Sequence, residues 1–289
     1  MRCLVKGLIA FSVVLVSQTV SASQTLSALA VLDPPEIDGI GSDAAWQHAQ
    51  TVTTQDAVAD IQVELQAVHD GKNLYMKVRF PDETESIEHK SLVWNRETEL
   101  YEIGPKREDV FVIKWNMQLS AIDLSLSADQ DYKADIWYWK AHRTDKLGYA
   151  DDKYQIYSSK PLKKSWRLMS KSGRIFYLKR KGDKGKPSYK SMIAVDYLGD
   201  EIPGIKNQKP QGSRADVRAK GIWKDGFWTV EFSRALSTGN SDDIALTQGV
   251  SAQFGVSRYE IAGHKKNPKI DTPLYGSGEV GEALYLKLQ

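Results

Sequence analysis

Residues 61–80 read Ile61-Gln62-Val63-Glu64-Leu65-Gln66-Ala67-Val68-His69-Asp70-Gly71-Lys72-Asn73-Leu74-Tyr75-Met76-Lys77-Val78-Arg79-Phe80. Ile61, Val63, Leu65 and Ala67 alternate with polar residues, and Leu74, Met76, Val78 and Phe80 alternate again beyond Asp70-Gly71. Side chains on a strand point to opposite faces in turn, so each run presents one apolar face, and Asp-Gly supplies the turn. The stretch predicts a β-hairpin with one buried face.

The same period recurs in both directions. Val110 to Trp115 and Asp135 to Lys140 read as strands, and Ala215 to Trp223, Asp225-Gly226 and Trp228 to Ser233 as a second hairpin. Val250 to Tyr259 and Ala283 to Leu288 complete the set. With no strong helical period between them, the expected fold is all-β: an antiparallel β-sandwich with a long loop- or helix-containing insertion at about 154–210. In the insertion the alternation fades, and Lys, Gly, Ser and Pro accumulate around Lys181-Gly182-Asp183-Lys184-Gly185-Lys186-Pro187. Irregular segments of that length are functional or mobile more often than inert.

The chain opens with Arg2 and Lys6, an apolar stretch from Leu8 to Val16, and small residues at Val20-Ser21-Ala22-Ser23. Residues 1–23 are expected to be a signal peptide cleaved near 22–23, leaving one domain over 24–289 in the periplasm. The apolar stretch is short of the roughly 20 residues a spanning helix needs. Cys3 is the sole cysteine and leaves with the signal, so disulfides, thiolate metal sites and covalently attached haem are excluded from the mature chain. Removing Arg2 and Lys6 balances basic against acidic residues, which argues against nucleic acid as partner. The crowding of Lys and Arg between Lys160 and Lys190 reads as a solvated loop face or a docking patch for an acidic partner.

Catalytic templates fit poorly. The chain has no Gly-x-Ser-x-Gly elbow, His-Glu-x-x-His pair, phosphate-binding glycine loop or dinucleotide fingerprint, so it reads as a non-enzyme. Its histidines, at 48, 69, 89, 142 and 264, are scattered rather than set at metal-ligand spacing. Asp151-Asp152 and Asp242-Asp243 allow either a calcium site or ordinary turns. Trp115, Trp137, Tyr138, Trp139, Trp223 and Trp228 fall on predicted strands, where core packing competes with ligand contact. Alternation puts Trp137 and Trp139 on one face and Ile136 and Tyr138 on the other, a strand able to wall a flat ligand, sugar or porphyrin. Met117 and His264 each follow a strand, and thioether with imidazole makes a workable axial pair for haem iron. Lys265, Lys266 and Lys269 compete with His264 as donors.

Several segments together resemble a known family. Leu32-Asp33, Ile37-Asp38-Gly39, Ala45-Trp46, Ala67 to Gly71 and Arg79-Phe80-Pro81-Asp82 resemble the opening of the haem-binding domain related to the ethylbenzene dehydrogenase γ subunit. Arg107 to Val110, Asp135 to Ala141 with Arg143, Gly148 to Asp152, Gly212 to Val217 and Arg234-Ala235-Leu236 are similar to its later landmarks. The opening is also similar to family 9 carbohydrate-binding modules. The first resemblance implies a periplasmic domain that holds one non-covalent b-type haem and transfers electrons with a molybdenum-type redox enzyme. It also implies a ligand methionine shortly before the Trp-x-Trp-Lys strand, where this chain has Ser125-Leu126-Ser127-Ala128-Asp129-Gln130-Asp131. The expected ligands are therefore Met117 and His264, with Lys266 as the competing donor and Trp137 and Trp139 lining the pocket. Two other readings stand beside it: a non-catalytic carbohydrate-binding module, and a haemless scaffold that docks a redox partner.

Overall fold

The structure is a computed structural model and describes residues 24–56, 60–259 and 282–289. Its strands are, in chain order, β1 (Gln24–Ala30), β2 (Val52–Asp56), β3 (Ile61–His69), β4 (Asn73–Pro81), β5 (Leu92–Asn95), β6 (Leu100–Ile103), β7 (Val110–Asn116), β8 (Tyr132–Lys140) and β9 (Asp151–Ser158). They continue as β10 (Trp166–Met169), β11 (Ile175–Gly182), β12 (Tyr189–Ser191), β13 (Glu201–Ile202), β14 (Ile205–Asn207), β15 (Arg218–Lys224), β16 (Phe227–Ala235), β17 (Ala252–Tyr259) and β18 (Leu284–Leu288). The one α-helix among the described residues is a single turn, α1 (Ala44–Gln47).

Two sheets face each other. The first runs β10-β11-β9-β8-β7-β17-β18-β1, and the second runs β1-β3-β4-β16-β15, with β2 paired to the first half of β3. β1 belongs to both: Gln24 to Ala28 pair with β18, and Leu29 and Ala30 pair with β3. Both of these pairings are parallel, whereas the rest of the two sheets is antiparallel. At the β15–β16 turn both Asp225 (φ 51°) and Gly226 (φ 79°) take left-handed backbone, the conformation that matches hairpin twist.

Between the sheets lies the main core: Phe111, Ile113, Trp115, Trp137 and Trp139 from one side meet Leu65, Met76, Val78, Phe80, Val230 and Phe232 from the other. The opposite parity of β7 and β8 builds a second core on the outer face of the first sheet, from Val110, Val112, Ile136 and Tyr138 with Tyr157 and Phe176. Residues 117–131 cover it, contributing Ile122, Leu124 and Ala128.

The expected insertion is more regular than its composition suggests. β9, β10 and β11 extend the first sheet as strands, and no α-helix occurs between 154 and 210. Phe176 and Leu178 alternate there with Tyr177 and Lys179, so the period is present but masked by the Lys and Arg that suit an edge. Only from Asp183 onward does the chain become irregular, with the short β12–β14 pair laid over the sheet.

Candidate functional site

Met117 follows the last residue of β7, and its backbone N–H donates to the Lys133 carbonyl at 3.2 Å. Asn116 pins the turn, its side-chain amide donating to the Ser120 carbonyl and to Gln253 Oε1, both at 2.8 Å. Met117 is half-buried and borders two clefts. One, of about 310 Å³, has apolar walls from Leu119, Ile244, Val250 and Ala252. The other, of about 390 Å³, is lined by Lys133, Tyr154, Lys181, Lys184 and Asp242. A polarizable thioether open to a cleft is available to a soft or borderline metal.

The stretch Ser125 to Asp131 is committed elsewhere. The Tyr132 hydroxyl lies 3.1 and 3.0 Å from the carbonyl oxygens of Leu124 and Ser125, and the Tyr157 hydroxyl 3.0 and 3.1 Å from those of Leu126 and Ala128. The rings of Tyr132, Tyr157 and Phe176 stack in series at 4.9 and 4.8 Å. These residues carry no thioether, imidazole or amine, so they do not fit an iron ligand.

Trp137 and Trp139 do share a face, the one turned into the main core. Both are fully buried: Trp137 packs on Trp115 (5.2 Å) and Phe232 (6.5 Å), and Trp139 on Trp228 (4.9 Å) with its N–H donated to Asp145 at 2.9 Å. The Trp137 indole nitrogen has no hydrogen-bond partner, and Arg234 lies 5.0 Å above its ring. His264 and Lys266 lie outside the described residues. The strand leading to them, β17, pairs Phe254 with Trp115 and Tyr259 with Val110, so it ends at the opposite end of β7 from Met117.

Sequence reasoning missed an ion lattice on the outer face, beneath the insertion. Lys140, Lys153 and Arg214 converge on Asp151. Burial opposes ionisation of Asp151, but these three cations outweigh it and hold the carboxyl well below its usual range. Burial in turn lowers Lys140 and Lys153 to about 8. Nearby, Glu108 accepts from Arg143 and from the backbone N–H groups of His142 (2.7 Å) and Arg143 (2.8 Å). His89 Nδ1 sits 3.3 Å from Glu108 without hydrogen-bond geometry, and burial, with Arg143 and Lys90 nearby, depresses the imidazole to about 2. Charges scattered along the sequence gave no signal for this grouping.

The adjacent aspartates separate. Asp151 belongs to the lattice just described, while Asp152, next on β9, faces the inner side near Asp135, Asp183 and Asp243. Burial first, then these neighbours, raise Asp152 well above the usual carboxylate range; burial, then repulsion from Asp242, Asp135 and Asp243, pushes Asp183 up to about 8. Asp135 rises to about 6, burial prevailing over its Arg234 partner. Asp135 had a sequence signal, since it shares strand parity with Trp137 and Trp139; Asp183, inside a Lys-Gly run, had none.

Fold and site thus define a β-sandwich module with ionisable groups buried on both faces of one sheet. The chain belongs to the ethylbenzene dehydrogenase family, whose model matches residues 42–267. No curated protein matches it. Among solved structures it is similar to a family 9 carbohydrate-binding module from Caldicellulosiruptor kristjanssonii in complex with glucose, at 13% identity, TM-score 0.38, covering 91% of this chain and 95% of that one. It is also similar to a putative carbohydrate-binding protein from Bacteroides uniformis, at 7% identity, TM-score 0.40, covering 93% and 100%. Among the described residues no helix is long and apolar enough to cross a membrane.

Proposed function

We propose that the chain is a non-catalytic, periplasmic electron-transfer module that holds one b-type haem through Met117 and a donor from His264 or Lys266, and exchanges electrons with a molybdenum-type redox enzyme. Family membership over residues 42–267 carries this reading. Locally it is supported by Met117, a thioether opening on a cleft with apolar walls. A bound haem would supply a one-electron redox centre.

The two candidate donors differ in maximum reach and in donor chemistry. Val110 and Asn116 are separated by the length of β7, about 20 Å at ~3.3 Å per residue. From Tyr259, an extended chain covers ~17 Å by His264 and ~24 Å by Lys266 at ~3.4 Å per residue. Lys266 therefore has the longer reach toward Met117, and His264 the donor that needs no shift in pKa to bind iron. Protein purified from the periplasm of haem-replete cells is expected to show a Soret band that Met117→Ala alters and that one of His264→Ala and Lys266→Ala alters. Absence of the band from the native protein would sink the reading; an unchanged band in all three variants would sink the ligand set.

A second reading, as a carbohydrate-binding module, is favoured by a different group of aromatics from the strand first suspected. Trp94 on β5 packs edge-on against Tyr101 (5.0 Å) and Tyr197 (5.3 Å), and Tyr197 is 55% exposed. Quenching of tryptophan fluorescence by soluble glycans, lost in Trp94→Ala, is the outcome that reading requires.

A further inference from the structure

We propose that Asp135, Asp152 and Asp243, with Asp183 beside them, form a calcium site that clasps the Met117 end of the sandwich. It goes beyond the haem reading and does not depend on it.

One carboxylate oxygen from each of Asp135, Asp152 and Asp243 lies within 4.8 Å of the others. Two ligands on opposite sides of a calcium ion, each at about 2.4 Å, are separated by about the same distance. The groups come from four parts of the chain: β8 gives Asp135, β9 gives Asp152, the turn after β16 gives Asp243, and Asp183 follows the last residue of β11. The Asp183 backbone N–H donates to the Asp152 carbonyl at 3.3 Å, which sets their side chains at one corner.

The decisive feature is what these oxygens lack. Asp152 is fully buried, and neither of its carboxylate oxygens has a hydrogen-bond partner. Asp183 is 4% exposed and its carboxyl meets only that of Asp152, with no other donor, while Oδ1 of Asp135 and Oδ1 of Asp243 also accept no hydrogen bond. Buried carboxylates are ordinarily saturated with donors, because leaving them bare forfeits hydration with no return. Arg234 is the cation in contact: it pairs with Asp135 and lies 3.7 Å from Asp243 Oδ1. One guanidinium faces four carboxyl groups, so with all of them ionised a divalent ion would reduce an excess of negative charge that Arg234 alone leaves. All the free donors are hard oxygens with no nitrogen or sulfur, the set that selects calcium or magnesium rather than zinc or copper. Calcium suits the irregular, multi-carboxylate arrangement better than magnesium, which demands octahedral geometry and retains water.

Asp242, the neighbour of Asp243, is already engaged, accepting from the Ser213 hydroxyl (3.1 Å) and the Lys184 N–H (3.3 Å). Its role is to dock the insertion on the same turn. An ion at Asp152 would therefore fasten β8, β9, the chain at the end of β11 and the 242–243 turn into one rigid corner beside the Met117 clefts.

The test uses full-length mature protein stripped with a calcium chelator. Calcium at a hundredfold excess over its dissociation constant is expected to raise the thermal midpoint by about 5–10 °C, and magnesium at the same concentration by less. Terbium should emit on tryptophan excitation, since Trp137 lies next to Arg234, and calcium should quench that emission by displacement. Asp152→Asn should lose both responses, and in chelator its midpoint should equal or exceed that of the parent, because a buried carboxyl crowded by other carboxyls has been replaced by a neutral amide. Asp243→Asn serves if the first variant fails to fold. No calcium shift in the parent, an equal shift in Asp152→Asn, or an equal shift with magnesium would overturn the assignment.

Discussion

At the scale of single residues, the positions that matter most are those that let an aromatic ring or an imidazole sit where it does. A Cβ built on Gly221 would fall 2.5 Å from the Trp139 ring, so Gly221→Ala must displace an indole that is closed in on all sides. Overpacking of this kind costs about 1–3 kcal/mol, and chemical denaturation should report a lower midpoint at unchanged slope. His89 gives a pH signature. Its folded-state value is depressed to about 2, whereas the unfolded chain titrates near the ordinary 6.5. Below that value the unfolded state takes up a proton that the folded state refuses. Stability is thus intact above pH 6.5 and falls with decreasing pH toward 2, at most about 1.4 kcal/mol per unit. The difference in unfolding free energy between the parent and His89→Gln, measured from pH 8 to 4, should shrink or reverse as pH falls; a constant difference would contradict the buried neutral imidazole. The sequence revealed that histidines 89 and 142 exist, but not that the backbone N–H of His89 donates to His142 Nδ1 at 2.8 Å, because that contact crosses the fold.

At the scale of elements, the strands with clean alternation were legible and those dominated by charge were not. β3, β4, β15, β16, β17 and β18 fall on apolar-polar periods visible in the chain, and β7 and β8 on apolar runs suited to burial on both faces. β9 was hidden because both of its faces carry charge: Asp151 and Lys153 point outward into an ion lattice, and Asp152 inward into an acidic one. Such a strand shows no apolar period at its start, since Tyr157 reaches the second core only near its end, and its first half rests on pairing. Asp151 is the keystone, so Asp151→Asn deprives the buried Lys140 and the half-buried Lys153 of the carboxylate they share. Breaking a buried ion pair from one side costs about 3–5 kcal/mol. Because Lys140 also donates to Tyr189 of β12 at 3.1 Å, and Arg214 lies just past the insertion, the loss should loosen residues 183–215 first. Limited proteolysis should cut the variant within that segment while the sheets remain resistant; cleavage equal to that of the parent would show that the insertion is held by other contacts.

At the scale of the whole molecule, the sandwich is closed by a device that no local period announces. β1 crosses from one sheet to the other, and β18 lies between β17 and β1, so the last strand of the chain joins the first sheet to the second. Parallel pairing between residues at opposite ends of a chain cannot be deduced from alternation, which fixes faces but not partners. β18 follows in the chain the residues 260–281 that include His264 and Lys266, the proposed haem ligands. Leu286 is 1% exposed, opposite Leu26 on one side and Ala252 on the other. Leu286→Ala should cost about 2–5 kcal/mol through the cavity it opens. Val230, equally buried on β16 in the far sheet, is the control. Far-apart sites combine additively, so haem should stabilise Val230→Ala as much as it stabilises the parent. If the second axial donor comes from the segment that β18 anchors, haem should stabilise Leu286→Ala by less. Thermal midpoints measured with and without haem for the parent and both variants decide the matter: equal increments in all three would place the second ligand elsewhere in the chain.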